Sequence, residues 1–244
     1  MLKRWKFTTN AISIFFAGIC MSASFGLQAQ TRSQVTGDTN AKQAQTLYLR
    51  ADIGTTTFDS KAAASKDSHS STTFEVGGWF GESRIVGLGI RNQIDVVPFT
   101  LNKSESATNF TDVRLKARLW GIIPSVGWSL SEVDIKRADV KTIGLFGTGM
   151  NAGLGGTLQL YPGIVLNGDY MVVKSTHMFD KLAGTTKLGD RQEADLHIAF
   201  DITDRLLDLL VGYRVRSYEI ITDAETFKEK AQGIYAGVRL GIYF

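Results

Sequence analysis

From residue 47 onward, apolar and polar side chains alternate with a period of two. Leu47, Leu49, Ala51 and Ile53 share one face of an extended segment, and Tyr48, Arg50 and Asp52 share the other, because successive strand side chains point to opposite sides. Phe74, Val76, Gly78 and Phe80 alternate with Glu75, Gly77 and Trp79. Val86, Leu88, Ile90, Ile94 and Val96 alternate with Gly87, Gly89, Arg91, Gln93 and Asp95. The clearest segment sets Val113, Leu115, Ala117 and Leu119 against Arg114, Lys116, Arg118 and Trp120. A charge at every second position cannot face an apolar core without heavy desolvation cost, so these strands have one wet face.

The second half repeats the pattern. Leu154, Leu158 and Leu160 oppose Gly153, Gly155, Thr157 and Gln159, and Ile164, Leu166, Tyr170 and Val172 oppose Asn167 and Asp169. Ala194, Leu196, Ile198 and Phe200 oppose Glu193, Asp195, His197 and Asp201. Leu207, Leu209, Val211, Tyr213 and Val215 oppose Asp208, Gly212, Arg214 and Arg216. The last segment sets Ile234, Ala236, Val238, Leu240, Ile242 and Phe244 against Gly233, Tyr235, Gly237, Arg239, Gly241 and Tyr243. These are nine strands, and a weaker tenth is expected at 124–131, where Val126, Trp128 and Leu130 alternate with small polar residues.

Connections read as alternately short and long. Tight turns are expected at 82–83, 122–125, 161–163 and 203–205, and longer polar loops near 59–72, 98–110, 132–150, 177–190 and 219–231. Short turns on one side and long loops on the other are the layout of a membrane-spanning barrel. The expected fold is therefore all-β, an antiparallel up-and-down transmembrane β-barrel over residues 46–244. Ten strands satisfy the even count that such barrels show; eight follow if weak segments merge, and twelve if 136–150 holds another pair. The 25 glycines and 3 prolines suit extended structure, where proline removes ladder hydrogen bonds.

In this arrangement the charge-free face meets lipid. Phe74, Phe80, Trp128, Tyr170, Phe200 and Phe244 fall near strand ends on that face, as in the aromatic girdles of membrane barrels. The inward face carries Arg50, Arg91, Arg114, Lys116, Arg118, Arg214, Arg216 and Arg239 against Asp52, Glu75, Asp95, Asp169, Glu193, Asp195, Asp201 and Asp208. A ten-stranded barrel is little wider than the eight-stranded ones that side chains fill. The balanced charges point to ion pairs holding a narrow or plugged bore, with a selective path for small solutes as the alternative.

Residues 1–29 have the order of an export signal: Lys3, Arg4 and Lys6, then apolar Ala11 to Met21, then small residues. Cleavage is expected between about 23 and 30, leaving residues 30–45 as a flexible lead-in. The net charge of +3 comes from 27 basic and 24 acidic residues. Removing the three bases of the signal leaves 24 of each, which gives no support to nucleic-acid binding. Cys20 is the one cysteine, so no disulfide or cysteine metal site is expected in the exported chain. No motif calls for a metal or cofactor.

The final strand, Gly237 to Phe244, with Val238, Leu240, Ile242, Tyr243 and Phe244 forming an amphipathic run that closes on an aromatic ring, resembles the assembly signal of Gram-negative outer-membrane β-barrel proteins. Ile242, where an aromatic is more usual, is a mild departure. The resemblance covers the plan of residues 45–244 and implies outer-membrane location, contact with lipid and lipopolysaccharide, and use of the barrel-assembly machinery. Asp195-Leu196-His197 resembles the Asp-x-His element of omptin proteases, which are also ten-stranded barrels. The sequence lacks the matching Asp-x-Asp element and is short for that family, so no catalytic residue is assigned. His69 and His177 fall in expected external loops, where a surface ligand would bind. The leading expectation is thus a small structural or interaction barrel with weak solute passage as an addition. A lumen hydrolase and a soluble periplasmic barrel with its apolar face inward are the alternatives.

Overall fold

A computed structural model describes residues 47–60, 65–80, 85–99, 104–119, 121–136, 142–180, 185–203 and 206–242. Within them lie ten strands: β1 (Leu47–Ser60), β2 (Ser65–Phe80), β3 (Val86–Phe99), β4 (Ser104–Ala117), β5 (Ile122–Lys136), β6 (Thr142–Tyr161), β7 (Ile164–Asp180), β8 (Lys187–Asp201), β9 (Leu207–Ile221) and β10 (Thr226–Ile242). Each pairs antiparallel with its sequence neighbours, and β1 pairs with β10 from Leu47↔Ile242 to Asp59↔Lys230, closing the barrel. The expected signal and lead-in, together with Tyr243 and Phe244, lie outside the described residues.

The expected long loops are mostly strand. Ser65–Thr72 belongs to β2, Ser104–Phe110 to β4, Thr142–Met150 to β6 and Thr226–Ala231 to β10. The connections left between strands are short at both ends of the barrel, the longest spanning 181–186. Among the described residues, 136–150 holds no extra pair: Lys136 ends β5 and Thr142 opens β6. His69, placed in a loop by sequence, is a buried residue of β2, and His177 lies on β7. The tightest reversal, Tyr161-Pro162-Gly163-Ile164, has Gly163 at φ +80°, the left-handed value that the third residue of a type II turn requires.

The barrel has two storeys with opposite dress. Near the rim where β1 begins and β10 ends, apolar side chains face outward. Leu49, Ile53, Val113, Leu115, Leu196, Val211 and Leu240 are all exposed, while Arg50, Asp52, Arg114, Asp195 and Arg214 are buried inside. Toward the far rim each face changes character. On β9 the outward series runs Leu209, Val211, Tyr213, Val215, then Ser217 and Glu219, while the inward series runs Asp208, Leu210, Gly212, Arg214, Arg216, then Tyr218 and Ile220. On β5, Val126, Trp128 and Leu130 give way outside to Glu132, while Ser129 and Ser131 give way inside to Val133. The apolar outer stretch of β9, Leu207 to Val215, matches the roughly 9–11 residues a tilted strand needs to cross a membrane. Inward apolar side chains are scattered in the near storey, as at Leu210 and Ala199, and gather in the far storey, where a small core forms from Phe58, Phe110, Val133, Leu145, Leu188, Tyr218, Ile220 and Ala231.

Candidate functional site: an ion-paired lumen beneath an apolar cap

Alternation places the charged side chains inside, and the closed barrel brings distant strands within reach of one another. Closest to the chain-end rim, Lys116 Nζ donates to Glu75 at 2.7 Å and to the Tyr48 hydroxyl at 2.8 Å, and Tyr48 donates to Glu75 at 2.8 Å. Arg118, just past β4, lies 4.2 Å over the Trp79 ring, and Arg239 pairs with Asp208 at 2.6 Å.

The next level is centred on Asp195. Its carboxylate accepts from Arg214 Nη2 at 2.7 Å, Arg50 Nη2 at 3.3 Å and the Tyr235 hydroxyl at 2.5 Å. It also pairs with His197 Nδ1 at 3.0 Å. Asp52 adds contacts to Arg50 at 3.0 Å and Arg214 at 3.3 Å, and Arg214 Nη1 donates to Thr73 at 2.6 Å. Both guanidinium groups lie over the Tyr235 ring. Gly212 makes room, since a Cβ there would stand 2.4 Å from Tyr235 and 2.6 Å from His197.

A third level spans the bore. Arg91 meets Glu193 at 2.8 Å and Asp112 at 3.0 Å, and Arg191 also pairs with Asp112. Because β3 and β8 stand five places apart in a ring of ten, the Arg91–Glu193 pair crosses its full width. Arg216 reaches from β9 to Asp95 on β3 at 2.6 Å, and Arg114 pairs with Asp169 at 2.5 Å. Ser129 donates to Asp112 at 2.6 Å, and Thr108 to Asp95 at 3.0 Å. Arg191 and Arg216 lie 4.4 and 4.6 Å from the Phe110 ring centroid, so Phe110 is both the roof of the ionic layers and the floor of the apolar cap.

The structure therefore gathers the expected charges Arg50, Asp52, Glu75, Arg91, Asp95, Arg114, Lys116, Glu193, Asp195, His197, Arg214 and Arg216 into linked clusters, and leaves Arg118 and Arg239 at the rim. Sequence reasoning missed Asp112 and Arg191, both almost wholly buried. Asp112 sits one residue before Val113 and Arg191 three before Ala194, where the strand limits were drawn too short. It also missed the cap residues, which lie largely in the segments read as loops.

Chemically, this arrangement cross-braces the wall. Removing one member of a buried pair leaves an uncompensated charge, at a cost of about 3–5 kcal/mol. The Asp195–His197 contact has the geometry of an acid–base pair, but the carboxylate already serves two arginines and a tyrosine. Among the described residues no group of three or more His, Cys, Asp or Glu is placed to hold a metal.

No protein-family model matches the chain, and no curated protein matches it either. Solved structures do match. The outer-membrane protease OmpT from Escherichia coli shares 10% identity, with 81% of this chain and 97% of that one covered and a TM-score of 0.50. Neisserial surface protein A shares 11% identity over 80% of this chain and 97% of its own, at a TM-score of 0.43. The translocator domain of the autotransporter NalP from Neisseria meningitidis shares 12% over 96% and 98%, also at 0.43. At identities this low the likeness is one of architecture, and the architecture shared with OmpT is the closed antiparallel barrel.

Proposed function

We propose that this protein is an outer-membrane barrel with a sealed bore, acting as a structural and interaction element through its wall and projecting far storey. The observation that carries this reading is the Arg91–Glu193 pair spanning the lumen at 2.8 Å, with the apolar cap stacked above it. A hydrated ion meets a cross-braced layer and then a close-packed apolar cluster, a combination suited to blocking flow. The outward apolar belt supports residence in a bilayer, since an exposed apolar surface this extensive is a liability in water. Export by residues 1–29, and recognition of Val238, Leu240, Ile242, Tyr243 and Phe244 by the barrel-assembly machinery, belong to the same reading. The test is planar-bilayer recording of the refolded protein: a flat baseline is expected, and discrete conductance steps would overturn the sealed bore.

The His197–Asp195 contact favours a second reading, a hydrolase working from inside the lumen on peptides or lipopolysaccharide. Under that reading His197→Ala abolishes hydrolysis while the barrel stays heat-modifiable on SDS gels. Under the first reading the wild-type protein shows no such activity to lose.

A further inference from the structure

We infer that the bore holds one trapped water molecule between the Asp195 cluster and the apolar cap, bridging Arg216 of β9 to Gln93 of β3. The site belongs to the closed barrel itself and does not depend on where the barrel resides. Its space comes from β10. Inward positions on that strand run Tyr235, Gly233, Ala231, so beyond the Tyr235 ring the wall supplies only a hydrogen and a methyl group. Gly233 has no room for more, since a Cβ there would stand 2.0 Å from the Thr55 carbonyl oxygen. What remains is a cavity of about 10 Å³, room for about one water molecule.

Two of the side chains lining this cavity select its occupant. Arg216 and Gln93 are each 2% exposed, and each carries a polar atom with no hydrogen-bond partner among the described residues. Arg216 donates from Nη2 to Asp95 at 2.6 Å; Nη1 has no acceptor, and Nε faces only Glu193 Oε2 at 4.0 Å. Gln93 donates from Nε2 to Ser71 Oγ at 3.2 Å, and its Oε1 has no donor. The amide is held in that orientation. Ser71, the register partner of Asp95, turns its own proton to that carboxylate and so receives one from Gln93. The occupant must therefore accept from a guanidinium and donate to an amide oxygen. Water does both. A chloride-sized anion would answer Arg216 but sit against the Gln93 oxygen. A cation would answer that oxygen but meet two guanidinium groups, because Arg214 lines the same cavity. A buried water makes about three hydrogen bonds, and Thr56, the register partner of Gly233, brings a hydroxyl as the third. The bridge joins strands four places apart in the ring. It opens no conduit, because the Asp195 cluster lies below it and the cap above.

The test is a high-resolution crystal structure of the full exported chain, grown with sodium bromide in place of chloride. A solvent peak is expected within about 2.7–3.2 Å of both Arg216 Nη1 and Gln93 Oε1, with no anomalous signal from bromide. Gln93→Met, similar in length but without the amide, should lose the peak. Ala231→Val, which fills the cavity from β10, should lose it too, and decides the matter alone if Gln93→Met does not assemble. Heat-modifiability on SDS gels establishes that each variant forms a barrel. An empty cavity in the wild type, a bromide signal at the site, or a peak that persists in either assembled variant overturns the inference.

Discussion

Asp195 shows how much a single carboxylate can organise. Two guanidinium groups, a phenol and an imidazole converge on it from β1, β8, β9 and β10, so Asp195→Ala leaves Arg50 and Arg214 to share Asp52. The expected loss is about 3–5 kcal/mol of barrel stability, read as a lower urea midpoint for the folded protein in lipid vesicles. Adding Arg214→Met to that variant should recover part of the loss, because an apolar side chain asks for no partner. A midpoint unchanged by Asp195→Ala would show that the cluster is not what braces the wall. Leu145, with no exposed surface at the heart of the cap, tests the other layer. Leu145→Ala should cost about 2–5 kcal/mol, as core truncations of leucine do, while the bilayer baseline stays flat, because the Arg91–Glu193 layer beneath still spans the bore.

At the scale of strands, close packing sets its own limits. Gly127 of β5 lies so near β4 that a Cβ would come within 1.9 Å of the Val113 carbonyl oxygen. Gly127→Val should therefore lower the fraction of heat-modifiable barrel sharply, and normal assembly of that variant would refute the close approach. Strands were legible wherever lipid imposes the pattern. Val113 to Leu119 and Leu207 to Val215 announce themselves because the outer face must be apolar and the inner one is charged. In the far storey that contrast inverts, and the local signal blurs. Ser65 to Ser71 reads SKDSHSS, which has the composition of a loop; it is strand because β1 and β3 hold both its flanks, a tertiary cause that no local window reveals. The candidate site was legible to the same depth. Arg214 and Asp195 follow from alternation, but Phe110, Leu188 and Ile220 occupy inward positions where the lower half of the same strand carries charge. A single rule assigning polar residues to the interior therefore fails at the crossover.

For the whole molecule, the two storeys make a spatial prediction. In a Cys20→Ser background, Ser217→Cys lies on the outer face above the crossover on β9, and Val211→Cys lies on the same face below it. A membrane-impermeant maleimide applied to vesicle-embedded protein should label the first and spare the second until lipid is removed. Equal labelling would mean that the crossover does not coincide with the bilayer boundary.

The seam between β1 and β10 has a consequence in time. Leu47 and Ile242 are register partners at opposite ends of the described chain, so the ring has no stable partial version: until β10 arrives, β1 carries an unsatisfied edge that hydrocarbon does not tolerate. Contacts so distant in sequence form late and slowly. Insertion must therefore wait for a finished polypeptide, and every copy spends an interval as a complete but unclosed chain, during which its apolar stripes need an escort.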